Sequence, residues 1–92
     1  MVIWSYKKWR IVMFDIAEKD RLVRDKIRYK INQLGMLLIQ NSVYVYPYPV
    51  DEFIDVLHST FGSTAKRVIT MTADKIDGED QLVTKFKNNN VL

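Results

Sequence analysis

The chain contains no cysteine and a single histidine, His58, among its 92 residues. Without cysteine it has neither a disulfide framework nor thiol chemistry, so a reducing cytoplasm is the expected location. His58 makes a poor metal site because no second histidine or cysteine is available to share the ion. No run of about 18 apolar residues exists, and the N-terminus has no long apolar segment, which argues against a membrane span and a secretion signal.

The length and composition predict one small domain with a single modest core. The hydrophobic fraction of 48% is ordinary for a globular protein, and the chain shows no repeat and no low-complexity segment. The net charge of +3 permits an anionic partner but does not require one. We expect one domain over residues 1–92, with an arm at residues 1–8 and a tail with a short helix at residues 75–92.

Apolar periodicity divides the chain into strands and helices. Apolar residues at intervals of four, four and three, from Val23 to Leu34, predict an amphipathic helix that ends at Gly35. The segment 36–48 is longer than a usual strand, and its central Gln40-Asn41-Ser42 predicts a turn or bulge that divides it. The predicted elements are strand 9–16, helix 18–34, divided strand 36–48, helix 49–61, strand 67–73 and helix 81–87.

The order of these elements is the βαββαβ pattern of the ferredoxin-like α+β fold. Such a fold has one antiparallel sheet with two helices on one face, and right-handed crossovers place the first strand at the sheet centre. The last strand then runs antiparallel to the first, so Asp15 and Asp74 are expected at opposite edges of the sheet. One chain would therefore not supply a pair of carboxylates, and a metal ion at Asp15 would need a second copy or a nucleic-acid phosphate.

Asp15 is a carboxylate in a strand of apolar residues, where burial costs free energy unless the group is paired, hydrogen-bonded or metal-bound. One interpretation is structural: Asp15 accepts backbone N–H bonds where the strand ends, or it caps the first helix. The other is catalytic: two Asp15 side chains near a dimer axis hold a divalent cation such as Mg2+, because hard cations prefer oxygen ligands. Asp15 is thus the candidate catalytic and metal-binding residue, and both interpretations are open.

Three arginines follow one another along one side of the first predicted helix, and we call them the arginine ridge (Arg21, Arg24 and Arg28). Guanidinium groups match phosphate oxygens, so this ridge could track a nucleic-acid backbone. The alternative is a solvated face with the local ion pairs Glu18–Arg21 and Asp20–Arg24. The candidate nucleic-acid-binding residues are Arg10, Arg21, Arg24 and Arg28.

Valine and tyrosine alternate in the second strand region, which gives it one aliphatic face and one face that carries Tyr44, Tyr46 and Tyr48. A row of tyrosines could stack nucleic-acid bases. The alternative is that the row covers a helix or a subunit interface.

Apolar residues in the arm and the tail predict self-association, because exposed sheet edges and apolar segments are usually covered by partners. We predict a two-fold homodimer that is formed partly by these two segments. The residues concerned are Ile3, Trp4 and Tyr6 in the arm, and Leu82, Val83 and Phe86, which the short final helix turns inward.

Several stretches of the chain resemble a known superfamily. Phe14-Asp15-Ile16, the basic helix that ends in Leu34-Gly35, and Gln40-Asn41-Ser42-Val43-Tyr44 look like the pattern of the CRISPR-associated Cas-two family. The stretches 9–19, 42–49 and 73–78 are similar to the central Cas-two-like domain of PaaX transcriptional repressors. The resemblance covers almost the whole chain from Trp9, and it depends on the order and spacing of these stretches.

The resemblance to the Cas-two family implies a ferredoxin-like homodimer that works beside the Cas-one integrase as a scaffold for spacer DNA. Members of that family are often described as metal-dependent nucleases, and the metal ligand is the aspartate that ends the first strand, here Asp15. The first hypothesis is therefore a dimeric scaffold for a DNA duplex or RNA in antiviral CRISPR adaptation. It would have an integrase partner and weak or no Mg2+-dependent endonuclease activity.

The resemblance to PaaX repressors implies a regulator with an N-terminal winged helix for DNA and a ligand-responsive C-terminal part. Because only eight residues precede Trp9, we expect a fragment of such a regulator or a stand-alone relative rather than a complete repressor. The second hypothesis is accordingly a regulatory or dimerisation module without catalysis.

Overall fold

The computed structural model describes residues 8–92, except for the side chain of Lys66. The predicted arm lies outside this range apart from Lys8, and so do its proposed dimer contacts Ile3, Trp4 and Tyr6. The strands are β1 Trp9–Phe14, β2 Leu37–Gln40, β3 Val43–Tyr46 and β4 Val68–Ala73. The helices are α1 Arg21–Leu34, α2 Asp51–Phe61 and α3 Glu79–Asn88, with 3-10 turns at Glu18–Asp20 and Gly62–Arg67. None of these helices has the length and apolar character needed to cross a membrane.

The four strands form one antiparallel sheet in the order β2-β3-β1-β4. This is the strand order of the ferredoxin-like fold, so the predicted fold class is confirmed, with β1 between two neighbours. In the register between β1 and β4, Trp9 lies opposite Ala73 and Phe14 lies opposite Val68. Asp15 follows one end of this pairing and Asp74 the other, so the two carboxylates lie at opposite ends of the sheet, as expected.

Two turns with positive φ set the ends of α1 and β2. Gly35 has a φ of 101°, and its N–H donates to the carbonyl of Asn32 at 3.1 Å. Glycine suits this position because an added Cβ would be strained by the left-handed backbone and would lie 3.0 Å from Val91 Cγ2. Ser42 has a φ of 58° in the tight turn between β2 and β3, which confirms the predicted division of segment 36–48.

The helices α1 and α2 cover one face of the sheet. Alternate residues of β1, Val12 and Phe14, point into this core because successive strand side chains point to opposite faces. Tyr44 of β3 is buried beside them, and its ring stacks on Phe14 with centroids 6.0 Å apart. The helices contribute the apolar stripes predicted from the sequence, including Ile27, Ile31, Ile54 and Leu57.

The third helix packs on the opposite face of the sheet, a position that the sequence did not indicate. Trp9 and Phe86 are fully buried there with ring centroids 5.9 Å apart, and the indole N–H of Trp9 donates to Glu79 Oε1 at 2.7 Å. The prediction that the tail residues turn inward is confirmed. Their predicted use as dimer contacts is wrong for Leu82 and Phe86, because both are buried against their own chain.

Phe86→Ala should lower the free energy of unfolding by about 3–5 kcal/mol, because it empties a fully buried ring site under the sheet. Urea denaturation followed by circular dichroism measures the loss. Lys87→Ala, at an exposed position of the same helix, is the control and should change stability by less than about 0.5 kcal/mol. A loss that appears only at high protein concentration would mean that α3 packs on a second copy and would contradict this arrangement.

Candidate carboxylate site and nucleic-acid interface

Asp15 follows the last residue of β1, and its side chain is 89% exposed. Because β4 begins at Val68, opposite Phe14, the preceding Arg67 lies beside Asp15, with Nη1 3.7 Å from Oδ2. Both side chains are largely in solvent, so this is a surface ion pair. Arg67 is not among the site residues predicted from the sequence, although its position just before a strand antiparallel to β1 points to this contact.

The interpretation in which Asp15 caps the first helix is wrong. The 3-10 turn Glu18–Asp20 has Ala17 at its N-cap position, α1 has Asp20 there, and neither element has a side-chain cap hydrogen bond. The Asp15 carboxylate does not need such a bond, because an exposed charge keeps its hydration. Its place in an apolar stretch is explained by the end of β1 at Phe14, which leaves Asp15 outside the core.

One chain does not by itself fit the Mg2+ site proposed at Asp15. Within the described residues, no three His, Asp or Glu side chains come together as a metal-binding group. Asp15 supplies one carboxylate, and its charged neighbour Arg67 is a cation that would oppose a divalent ion. The catalytic and metal-binding roles of Asp15 therefore stay predictions that require a second copy or a phosphate.

The arginine ridge lies along one side of α1 and shares its charge with nearby carboxylates. Arg21 lies 3.9 Å from Glu18, which confirms the predicted pair, and Arg24 Nη1 lies 3.1 Å from Glu18 Oε2. The predicted Asp20–Arg24 pair is wrong, because α1 begins at Arg21 and the preceding 3-10 turn places Glu18 within reach of both arginines. Arg24 also lies 3.9 Å from Asp25, so the positive charge of the ridge is partly neutralised.

The remaining candidate arginines are held by contacts within the domain. The Arg28 guanidinium lies over the ring of Phe14, 5.9 Å from its centroid, in a cation–π contact. Arg10 Nη1 donates to the carbonyl of Lys8 at 3.0 Å and to that of Pro47 at 3.2 Å. Arg10 is about 13 Å along β1 from Phe14, so the fold does not bring it together with the ridge.

The tyrosine row contributes to both apolar cores of the domain. Tyr44 packs beneath α1 and α2. Tyr46 packs against both cores, and its ring lies edge-on to Phe86 of α3 at 6.3 Å and to Tyr48 at 5.8 Å. Burial raises the pKa of Tyr46, and the neighbouring Tyr48 raises it further. The interpretation that the row covers a helix is therefore confirmed for Tyr44 and Tyr46.

Among residues 8–92, α3 covers only half of the sheet face on which it packs, and the other half forms the open sheet patch (Met13, Val43, Ile69 and Met71), in which Met13 and Val43 are half-buried. Met13 lies opposite both Val43 and Ile69 in the strand register, and Ile11 lies opposite Met71, so these side chains share one face. Ile69 is 56% exposed and Met71 is 48% exposed, although both are large and apolar. Contiguous exposed apolar residues of this kind mark interaction surfaces.

The sequence model of one protein family, the PaaX protein central Cas2-like domain, matches residues 4–83. The chain belongs to this family. The resemblance to the PaaX domain seen in the sequence is thus confirmed, and a Cas2-like domain suggests oligomerisation or nucleic-acid binding in general. No curated protein and no solved structure matches the chain. The match is to a domain family, and it assigns neither catalysis nor a specific partner.

Asp15→Asn should change the free energy of unfolding by less than about 1 kcal/mol, because it removes only one exposed ion pair. Asp74→Asn is the matched control, since Asp74 is also exposed and lies 3.6 Å from Lys8 Nζ at the other end of the sheet. Chemical denaturation measures both variants. A clearly larger loss for Asp15→Asn alone would show that this carboxylate has a structural role beyond its pair with Arg67.

Proposed function

We propose that the chain is a dimerisation module of PaaX type, without catalysis of its own, in which the open sheet patch is the interface between two copies. The observation that carries this proposal is the exposure of Ile69 and Met71 on a sheet face that α3 only half covers. Burial of such side chains against a partner would remove a large apolar area from water, which is the main driving force for association. The match to a PaaX domain is consistent with a module of this kind.

The composition of the patch favours a second copy of the chain as the partner. All four of its side chains are apolar, so a two-fold axis through the patch would bury no unpaired charge. The helix α3 limits the contact to the half of the face near Phe14 and Val68, because it covers the half near Trp9. The tail would therefore shape the interface without forming it.

Ile69→Glu should raise the dissociation constant of the homodimer at least about tenfold, because each copy would place an unpaired carboxylate in an apolar contact. Sedimentation velocity at tens of micromolar measures the change from dimer to monomer. Thr72→Glu is the matched control, since Thr72 is exposed on the same strand but points to the other sheet face. A wild-type monomer at these concentrations, or equal dissociation by Thr72→Glu, would refute the proposed interface.

A second candidate function is nucleic-acid binding in a scaffold of the CRISPR-adaptation type, with an integrase partner. Its support is the alignment of the three ridge arginines on one side of α1, where Arg21 and Arg24 already hold the anions Glu18 and Asp25. A phosphate backbone could replace these anions, since guanidinium groups bind both. If this scaffold is also a nuclease, the wild-type chain should cleave nucleic acid in a Mg2+-dependent reaction. Asp15→Asn should abolish this cleavage, and Asp74→Asn should retain it.

Changing the three ridge arginines to glutamine should flatten the salt dependence of duplex binding, because each neutralised phosphate releases counterions. The slope of log K against log salt is negative, and its magnitude should decrease by up to about 2.7 if all three arginines contact duplex phosphates. Titrations at several salt concentrations measure the slope, and circular dichroism checks that the variant is folded. Lys85→Gln with Lys87→Gln on α3 is the control. An unchanged slope would assign the ridge to local ion pairs, and absent binding at low salt would remove this candidate.

A further inference from the structure

The outer surfaces of α1 and α2 border an open groove of about 440 Å3, which we call the helix groove (Leu22, Asp25, Lys26, Tyr29 and Lys30 of α1, Thr60 and Phe61 of α2). It lies on the side of α1 that faces α2, whereas the arginine ridge lies on the other side. The dimerisation proposal uses none of these residues, and the nucleic-acid proposal uses only Asp25, as an ion-pair partner of Arg24. The groove is also remote from the open sheet patch, because α1 and α2 cover the opposite face of the sheet.

The wall that α1 contributes is unusually apolar for a solvent-facing surface. Leu22 is 74% exposed and Tyr29 is 64% exposed. Leu22 and Tyr29 are two helical turns apart, which is about 10 Å along the axis. A second helix laid in the groove presents apolar side chains at i, i+3, i+4 and i+7 over the same length, which is how helix-in-groove recognition works.

The helix groove is lined by two lysines and one aspartate, and the aspartate, Asp25, is paired with Arg24 of the arginine ridge. Among the described residues, neither Lys26 nor Lys30 forms an ion pair with a carboxylate. By contrast, Arg21 and Arg24 on the other side of α1 are paired with Glu18, and Arg24 also lies 3.9 Å from Asp25, which removes the groove's one negative charge from competition for the lysines. The two lysines are thus left to attract an anionic partner, while the helix dipole adds nothing at these mid-helix positions.

We propose that the helix groove binds an acidic amphipathic helix of another protein. The apolar residues of the bound helix would cover Leu22 and Tyr29, and its carboxylates would form ion pairs with Lys26 and Lys30. A second copy is a poorer occupant because the free charges of the groove have one sign and are not self-complementary. Nucleic acid is also poorer, because the guanidinium groups suited to phosphate lie on the other side of α1 and would leave Leu22 uncovered.

The test uses the full 92-residue chain and two synthetic helical peptides of about 16 residues. Both peptides carry leucine at i, i+3, i+4 and i+7, and they differ only in having glutamate or lysine at the flanking positions. Fluorescence anisotropy should show at least about tenfold tighter binding of the acidic peptide. Lys26→Glu with Lys30→Glu should reverse this preference, and Leu22→Ser should weaken the acidic peptide at least about tenfold without unfolding the chain, because Leu22 is exposed.

Lys85→Glu with Lys87→Glu is the control, since it changes the net charge equally on exposed positions of α3. It should leave the preference for the acidic peptide in place. The proposal would be overturned if the wild-type chain bound both peptides equally. It would also be overturned if the Lys85→Glu/Lys87→Glu control bound the acidic peptide as weakly as Lys26→Glu/Lys30→Glu. It would also be overturned if Leu22→Ser instead lowered self-association in sedimentation, which would make a second copy the occupant. Loss of duplex binding in Lys26→Glu/Lys30→Glu, with peptide affinity unaffected by Leu22→Ser, would make the groove a nucleic-acid surface.

Discussion

Side chains along β1 alternate between two separately packed cores, and the surfaces of the domain depend on this alternation. Val12 and Phe14 pack under α1 and α2, whereas Trp9 packs under α3. A central strand that is apolar on both faces must be covered on both, because exposed apolar area costs free energy in water. α3 is only ten residues long and covers the end of the face near Trp9. Among the described residues, the other end of this face, at Ile69 and Met71, is left exposed as a consequence.

Local spacing is enough to predict most of this fold. The apolar stripes from Val23 to Leu34 and from Val50 to Phe61 indicate both long helices, and the polar turn before Val43 indicates the strand division. The element order then restricts the sheet to one plausible arrangement, because crossovers are right-handed. The errors lie at the boundaries. β1 ends two residues before the predicted Ile16, since its neighbour β4 begins opposite Phe14 and offers no further pairing.

Contacts between distant segments could not be predicted in this way. Trp9 and Glu79 are 70 positions apart, and their hydrogen bond exists only because α3 crosses the sheet face opposite α1. The apolar pattern of the tail fits burial against its own sheet or against that of a partner, since periodicity does not specify the partner. The same limit applies to Asp15, whose pairing with Arg67 follows from strand register. For the candidate site, sequence identifies residue types and sides of helices, while tertiary packing decides which charges are already paired.

The separation of surfaces has a consequence for assembly. The open sheet patch and the helix groove lie on opposite faces of the sheet, so a contact at one leaves the other accessible. A dimer formed through the patches would present two helix grooves, related by the two-fold axis and held at a fixed distance. A partner that carried two acidic helices, or that was itself dimeric, would bind the second groove at a high effective concentration. Self-association at the sheet would then strengthen the binding of such a partner at the helices without any contact between the two surfaces. The reason is that the second of two linked binding events is intramolecular.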